Sequence, residues 1–324
     1  MKSKIYIVIV NFKTADLVMQ CLMSINQQKN ALGGGKVIVV DNNSQDDSIE
    51  KLTNYVLLNQ AEAWVDIVPM PHNGGFAYGC NAGISRAIAV DTTVDYVMLL
   101  NPDTLVRTDA IASLSNFMDA SQQVGIAGSQ LENSEGGIEN SAHRFHSLMG
   151  ELLDGARLGI LSRLFSKFET TPALKASNFQ CDWVSGASMM IRWQLIKDIG
   201  LMDEKFFLYF EEVDFFHRAA KAGWQTWYVP AAKVMHIEGA ATGIKSAKRR
   251  PQYWYDSRRR YFIKHHGVLS LICTDIAWGL GRLSYVIRRA IKLGGQGANT
   301  DPKWLAWDLL AGDAKAIITG KISI

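Results

Sequence analysis

Short apolar runs alternate with amphipathic segments through the first 130 residues of the chain. Residues 4–10, 36–41, 64–70, 95–100 and 124–128 form apolar runs rich in β-branched residues, which is typical of strands buried on both faces of a sheet. Between these runs, apolar residues recur every three or four positions, which predicts helices, one of them over 108–119 with Thr108 as N-cap. This alternation predicts an α/β fold with a doubly wound, Rossmann-like, mostly parallel sheet covered by helices.

Polar or glycine-rich segments follow the first four predicted strands. They contain Asn11, then Asp41 in "DNNSQDD", then Asn73, Gly75 and Asn81 in "PHNGGFAYGCNAG", then Asn101 and Asp103 in "NPDT". Ligands of doubly wound sheets bind beyond the carboxyl ends of the strands, so this pattern predicts a nucleotide site. The GxGxxG turn and the GxxxxGK[ST] loop are both absent, so the nucleotide must be held in another way, with side chains such as Asp41 and a divalent metal as candidates.

The stretch "LYFEEVDFFHRAAKAGW" (208–224) places three carboxylates among aromatic residues. Its spacing predicts a helix that begins near Glu211 and ends at Gly223, with Asp214 and Arg218 paired on the surface. Glu211 and Glu212 then lie at the start of the helix. A buried acid is costly without a task, so these two residues are candidates for general acid–base chemistry.

Composition and charge limit the class of protein. The chain has 324 residues, 48% hydrophobic and 20% charged, which is an ordinary globular composition. Four cysteines without paired spacing indicate reduced thiols in the cytoplasm. The N-terminal apolar run is too short for a signal peptide, and no apolar run is long enough to predict a transmembrane helix.

Positive charge is concentrated near the C-terminus. Twelve Lys and Arg residues lie between Lys245 and Lys292, against two acids. An apolar stripe with helical spacing runs through the same region and consists of Leu269, Ile272, Ile276, Leu280, Leu283, Ile287 and Ala290. This predicts a basic amphipathic helix on an anionic membrane surface. The alternative is a helix packed on the catalytic domain or on a second copy of the chain in a homodimer. Nucleic acid is not an expected partner, because only the charge of this segment favours it.

Six segments, in order, resemble successive motifs of glycosyltransferase family 2. They are "IVIVNF", "VVDNNSQDDS", "NGGFAYGCNAGI", "LLNPDT", "FFLYFEEVDFFHRAAKAGW" and "VMHIEGAAT", and the resemblance covers roughly residues 4–265. The branch they resemble most is that of bacterial rhamnosyltransferases of surface-polysaccharide assembly, such as lipopolysaccharide O-antigen. The resemblance implies an inverting, metal-dependent enzyme with the GT-A fold.

The resemblance also implies roles for particular residues. Asp103 and His236 are implied as ligands of Mn²⁺ or Mg²⁺, and Asn101 stands where the family usually has the first acid of its metal motif. Glu212 is implied as the base that deprotonates the acceptor hydroxyl, with Glu211 as the alternative. The other implied contacts are with the donor nucleotide sugar, for Asn11, Asp41, Asn73, Gly75, Asn81 and Asn101, and with the acceptor, for Trp183, Ser185, Gly186 and Tyr209.

The extent of the resemblance also predicts the domain organisation. Residues 1–265 are predicted to form the GT-A catalytic domain, with a nucleotide-sugar half (1–128) and an acceptor half (129–265), and 266–324 an amphipathic helical region. The expected activity is transfer of a sugar, with rhamnose from dTDP-rhamnose as the first candidate, to a glycan or lipid-linked glycan at the cytoplasmic face of the membrane. The alternatives are transfer from a UDP-sugar, or a catalytically silent glycan-binding module.

Overall fold

The computed structural model describes residues 2–237, 248–291 and 301–320. Part of the "VMHIEGAAT" motif, Lys245 and Lys292 lie outside these ranges, as do residues 321–324 of the predicted C-terminal region. The chain divides into two compact units. The first comprises Met1–His143, Ala173–Phe207 and Glu211–Gly243, and the second comprises Arg144–Pro172, Leu208–Phe210 and Ile244–Ile324.

The first unit contains twelve strands and six helices among the described residues. The strands are β1 (Ile5–Asn11), β2 (Val37–Asp41), β3 (Val65–Pro69), β4 (Tyr96–Leu100), β5 (Thr104–Val106), β6 (Val124–Glu132), β7 (Ile138–Glu139), β8 (Ala142–His143), β9 (Phe179–Cys181), β10 (Trp183–Val184), β11 (Ser188–Arg192) and β12 (Gln225–His236). The helices of this unit are α1 (Ala15–Asn26), α2 (Ser48–Leu58), α3 (Phe76–Val90), α4 (Ala110–Asp119), α7 (Trp193–Ile199) and α8 (Glu211–Lys221).

The main sheet has the strand order β3-β2-β1-β4-β11-β6-β12-β5, with β7 added to β6 and β9 to β12. Strands β1 to β4 pair in parallel, as predicted. The rest of the sheet is mixed, because β11 is antiparallel to both β4 and β6, and β5 is antiparallel to β12. The α/β architecture predicted from the sequence is therefore confirmed, and the antiparallel strands replace the expected mostly parallel pairing in its second half.

Burial explains why the apolar runs became central strands. Every residue of β1, β2 and β4 is buried, so these strands need apolar side chains on both faces. Helix α1 buries Ala15, Val18, Cys21, Leu22 and Ile25, which is the helical spacing visible in the sequence. The predicted N-cap of the fourth helix is wrong, because α4 begins one residue later than expected, after Asp109, which has a left-handed conformation (φ 60°).

The second unit is helical. Its helices are α5 (Leu148–Ala156), α6 (Gly159–Leu164), α9 (Gln252–Ala290) and α10 (Leu305–Ile318). Gly267 has φ 82°, so α9 consists of two helices joined at a kink. The predicted domain boundary at 265 falls inside α9, and the second unit also includes residues 144–172, which were predicted to belong to the acceptor half, 129–265.

Arg258 holds the second unit together through buried ion pairs. Its guanidinium contacts Glu151 (3.0 Å), Asp275 (2.9 Å) and Asp313 (3.3 Å), which come from three different helical segments. Removing one partner of such a cluster leaves an uncompensated buried charge. The cluster therefore ties α5 and α10 to both parts of α9.

The helix after the kink in α9 exposes an apolar face. Leu269, Ile276, Leu280 and Leu283 are each more than half exposed, and Val286 and Ile287 extend the same face. Within the described ranges, none of the helices combines the length and the apolar character needed to cross a bilayer. An exposed apolar patch of this kind marks a surface that another molecule or a membrane covers.

Candidate active site

Asn11 and Asp41 are paired at the carboxyl ends of β1 and β2. The parallel register places the two residues side by side, and the Asn11 amide donates to Oδ1 of Asp41 (2.7 Å). Ser44 completes the cluster, since its hydroxyl donates to Oδ1 of Asp41 (2.6 Å) and its main-chain N–H to Oδ2 (3.1 Å). Both carboxylate oxygens of Asp41 are thus engaged within the protein, and the cluster fixes the loops that follow β1 and β2.

Asn42 is a residue that the sequence analysis missed. It is buried, and its amide donates to Oδ1 of Asn73 (3.0 Å) and to the carbonyl of Gly75 (2.9 Å). Oδ1 of Asn73 also accepts the N–H of Gly75 (3.0 Å). These bonds join the loop after β2 to the loop after β3. The only signal in the sequence was that two asparagines, Asn42 and Asn43, follow Asp41. Their presence does not by itself indicate a partner.

The glycines at the start of α3 and within it serve packing inside the protein. A Cβ at Gly79 would lie 2.6 Å from Cγ1 of Val10, and one at Gly83 would lie 2.3 Å from Cγ1 of Val8, so α3 sits directly on β1. Gly75 has φ 90°, and a Cβ there would lie 2.0 Å from the carbonyl oxygen of Phe207. These contacts explain why the three positions have no side chain, and the donor contact predicted for Gly75 stays a prediction.

Asn81 is bonded within the protein. It is buried, its amide donates to the carbonyl of Met202 (2.9 Å) and to Glu204 (2.8 Å), and its Oδ1 accepts the N–H of Met202 (3.0 Å). Because both ends of the side-chain amide are already bonded, the predicted donor contact is not supported. Asn81 instead anchors the loop that precedes α8.

Asp103 and His236 meet because β5 and β12 are paired. The antiparallel register sets His236 opposite Thr104, and the Asp103 carbonyl accepts the N–H of Ile237 (2.9 Å). As a result Nε2 of His236 lies 3.5 Å from Oδ1 of Asp103, and both residues are buried. Oδ1 of Asp103 has no hydrogen-bond partner among the described residues. Asn101 lies two residues earlier, with its carbonyl bonded to the Thr104 hydroxyl (2.7 Å).

This pair fits part of the coordination shell of a hard divalent cation. Two ligands of an octahedral ion, each about 2.1 Å from the metal, lie roughly 3 Å apart when they occupy adjacent positions. The observed 3.5 Å is close to that separation, and the orphaned carboxylate oxygen is the donor that Mn²⁺ or Mg²⁺ prefers. Within the described ranges there is no group of three or more His, Cys, Asp or Glu residues that could hold a metal, so the remaining ligands would come from elsewhere, such as a bound diphosphate.

Glu211 and Glu212 open α8 in different environments. Glu211 is buried, whereas Glu212 is only partly buried. Burial, and then the charge of Glu212, hold the pKa of Glu211 well above its usual range. The buried thiol of Cys80 also has a raised pKa, first because of burial and then because of the two glutamates. Two neighbouring carboxyl groups that share one proton divide into an acid and a carboxylate.

The other acid of this helix has a structural role. Asp214 pairs with Arg218 as predicted (3.0 Å), but the carboxylate is fully buried, so the expected surface position is wrong. The guanidinium of Arg218 also donates to the carbonyls of Ile199 (2.7 Å) and Leu201 (2.8 Å). The pair therefore holds α8 to the last residue of α7 and to the segment that follows it.

The chain enters α8 in a strained conformation. Tyr209 and Phe210, which belong to the second unit, have φ values of 69° and 65°, a left-handed region that non-glycine residues rarely adopt. The ring of Tyr209, a predicted acceptor contact, stacks 6.2 Å from that of Tyr253.

The segment between β10 and β11 lies beside Glu212. A Cβ at Gly186 would lie 3.9 Å from Cβ and Cγ of Glu212, so the structure brings these two predicted site residues together. The Ser185 N–H donates to the Ser141 carbonyl (2.9 Å), and its hydroxyl accepts the N–H of Ala187 (3.3 Å). Trp183 stacks on His143 at 4.1 Å, a partner that the sequence did not indicate.

Comparison with known proteins shows that the chain is similar to glycosyltransferases. A family model described as "Glycosyltransferase like family 2" matches residues 3–257. N-acetylglucosaminyl-diphospho-decaprenol L-rhamnosyltransferase of Mycobacterium tuberculosis is 27% identical over 64% of this chain and 68% of its own length. The dTDP-rhamnosyl transferase RfbF of Shigella flexneri is 21% identical over 89% of each chain.

The fold is also similar to that of solved glycosyltransferases. The structure of GalNAc-T7 with UDP, GalNAc and Mn²⁺ aligns with 95% of this chain at a TM-score of 0.58 and 13% identity. This chain spans 57% of the length of that structure. At this identity the likeness concerns the fold alone, which is of the GT-A type.

Proposed function

Because the chain belongs to the glycosyltransferase-like family 2, we propose that it transfers a sugar from a nucleotide-sugar donor to a glycan acceptor with inversion of configuration. Rhamnose from dTDP-rhamnose is the proposed donor sugar, in line with the name of the Shigella relative. The proposed acceptor is a lipid-linked glycan, in line with the name of the mycobacterial relative. The reaction would serve the assembly of a cell-surface glycan.

The observation that carries the proposal is the pair of glutamates at the start of α8. With Glu211 holding the proton of the pair, the negative charge rests on Glu212, which is the less buried of the two residues. Glu212 takes the proton of the acceptor hydroxyl as that oxygen attacks the anomeric carbon. The bond from the anomeric carbon to the nucleoside diphosphate breaks on the opposite face, so the configuration inverts.

Asp103 and His236 would hold the divalent cation of the donor complex, through the orphaned Oδ1 and through Nε2. When bound, the cation supplies a Lewis acid that neutralises charge on the leaving diphosphate. Asn101 in place of an acid leaves Asp103 as the one carboxylate of the "NPDT" segment. The Asn11–Asp41–Ser44 cluster supports the site by fixing the loops on which a nucleotide would rest.

The enzyme is proposed to act in the cytoplasm, attached to the inner face of the membrane by the helix after Gly267. Its apolar face is exposed in the structure, and the same helix ends in Arg288 and Arg289. An apolar face flanked by basic residues is suited to the headgroup region of an anionic bilayer.

The test compares two variants of nearly equal size. Glu212→Gln cannot accept a proton, so we expect turnover with dTDP-rhamnose and a lipid-linked acceptor to fall about 10²–10⁴-fold. Binding of the donor, measured by calorimetry, should change little, because the base faces the acceptor. Glu211→Gln should cost much less, since an amide can replace a protonated carboxyl. Near-normal turnover of Glu212→Gln would rule out the assigned base.

A further inference from the structure

A cavity of about 490 Å³ lies within the second unit, separate from the residues assigned to sugar transfer. Four guanidinium groups contribute to its lining, those of Arg157, Arg250, Arg258 and Arg282. The indole rings of Trp254 and Trp278 and the side chains of Leu305 and Leu309 form apolar parts of the wall. The volume is in the range of small-molecule sites.

The acids in the lining balance only some of these guanidinium groups. Glu151 accepts a hydrogen bond from Arg258 (3.0 Å). Arg157 (2.6 Å) and Arg282 (2.9 Å) share one carboxylate, that of Asp301, so a single negative charge faces two positive ones. Compensation in this part of the cavity is therefore incomplete by one charge.

Arg250 adds a second uncompensated charge. Its guanidinium stacks 4.1 Å from the ring of Trp254, and within the described part of the chain it forms no ion pair. Burial lowers the pKa of Arg250 and also that of Arg282. Nε and Nη1 of Arg282 are buried without a hydrogen-bond acceptor among the described residues. Desolvated cations with unused donors are costly unless an anion joins them.

Asp154 also lines the cavity, and its carboxylate, when ionised, repels an anion. Burial, and then the charge of Glu151, raise its pKa to about 6. With Asp154 ionised, the lining carries four guanidinium groups and three carboxylates, and Asp275 and Asp313 behind the wall also pair with Arg258. The donors left for a negative ligand are therefore those of Arg250 and Arg282. Guanidinium groups bind phosphate oxygens through paired, charge-assisted hydrogen bonds.

We propose that this cavity binds the diphosphate group of a polyprenyl-linked acceptor, with Arg250 and Arg282 as its phosphate ligands. The inference rests on the proposed function, because it assigns the anionic part of the acceptor to a site of its own. The tryptophan and leucine side chains of the wall suit the first isoprene units. The same unit carries the exposed apolar face of α9, where the rest of such a lipid could remain in the bilayer.

The test is isothermal titration calorimetry of the full chain in chelator, with inorganic pyrophosphate, farnesyl diphosphate and farnesol as probes. The chelator removes metal-dependent binding at the donor site. We expect farnesyl diphosphate to bind at least tenfold more tightly than pyrophosphate, and farnesol more weakly than either. Arg250→Gln and Arg282→Gln should each weaken binding of both diphosphates at least tenfold.

Two controls locate the binding. Arg163→Gln removes the same charge from an exposed position of the second unit outside the cavity, and it should leave all affinities unchanged. Asp103→Ala should do the same, because it alters the donor site. Arg250 has no ion pair to lose, so its variant should fold even if that of Arg282 does not.

Four outcomes would overturn the proposal. Equal affinity for pyrophosphate and farnesyl diphosphate would show a site for a free anion, and farnesol as the tightest ligand would show an apolar pocket. Affinities unaffected by Arg250→Gln, or abolished by Asp103→Ala, would place the ligand outside the cavity. None of these measurements requires sugar transfer. The diphosphate site can therefore be refuted while the proposed sugar transfer is retained. An inactive enzyme that binds farnesyl diphosphate would count against the proposed function alone.

Discussion

Glu211→Gln is expected to stabilise the protein at neutral pH while leaving its stability in acid unchanged. The folded-state pKa of Glu211 is held well above its ordinary value of 4.5, mainly by burial. Below pH 4.5 the carboxyl is protonated in both the folded and the unfolded chain, so it makes no difference to stability. As the pH rises above 4.5, the unfolded chain releases the proton and the folded chain keeps it, which favours unfolding.

The free-energy cost of burying Glu211 depends on how far the pH lies above 4.5. Each pH unit up to the folded-state pKa costs about 1.4 kcal/mol. At pH 7, about 2.5 units above 4.5, the cost therefore has an upper limit of about 3.5 kcal/mol, which is reached when Glu211 is still protonated in the folded chain. Glu211→Gln removes this cost, and its amide can still donate a hydrogen bond to Glu212.

Urea denaturation followed by tryptophan fluorescence at half-unit steps from pH 4 to 8 would measure the difference. The free energy of unfolding of Glu211→Gln minus that of the original chain should rise with a slope of about 1.4 kcal/mol per pH unit and then level off at the folded-state pKa. Glu50→Gln, an exposed substitution on α2, is the control and should give no such slope. A difference that is independent of pH, or that falls as the pH rises, would refute the reasoning.

Three further predictions concern metal, membrane and packing. Chelator should stop transfer and Mn²⁺ restore it, while Asp103→Ala should lose at least tenfold in turnover in an assay with excess Mn²⁺; full activity in chelator would contradict the metal site. The double variant Leu269→Ser and Leu280→Ser should bind anionic vesicles at least tenfold more weakly in co-sedimentation, and salt should weaken binding of the original chain; unchanged binding would exclude this face as the anchor. Gly83→Ala should lower the free energy of unfolding by about 1–3 kcal/mol, because its Cβ would lie 2.3 Å from Val8, whereas the open site of Gly159→Ala should show no such loss.

The first half of the fold could be predicted because its signals are local. A continuous run of β-branched residues is typical of a strand that is buried on both faces of a sheet. Strands β1, β2 and β4 lie where such runs occur, and all their residues are buried. Strand β5 has only three residues, too few for a periodic pattern. Strand β12 continues to pair with β6 beyond a register shift between Val229 and Lys233, and no local pattern in the sequence marks that irregularity.

The glycines and Asn81 show where local reasoning stops. A glycine that admits a ligand and a glycine that admits a neighbouring strand look the same in sequence, and only the contacts of Gly79 and Gly83 with β1 distinguish them. Asn81 was equally ambiguous, because its partners lie 121 and 123 residues away. Asp103 and His236 are separated by a comparable length of chain, and only the resemblance to a family could pair them before the structure did.

The choice between Glu211 and Glu212 depends on geometry that the sequence does not carry. Adjacent residues of a helix point about 100° apart, so one of them can face the core while the next faces a cleft. In α8 Glu211 faces the core, and its burial favours the protonated form. Glu212 is less buried and lies next to Gly186. Burial of the first acid then keeps negative charge on the second, since two adjacent carboxylates would repel each other. On this argument Glu211 is a positioning residue that tunes its neighbour, and its removal should change the pH profile of turnover more than the maximal rate.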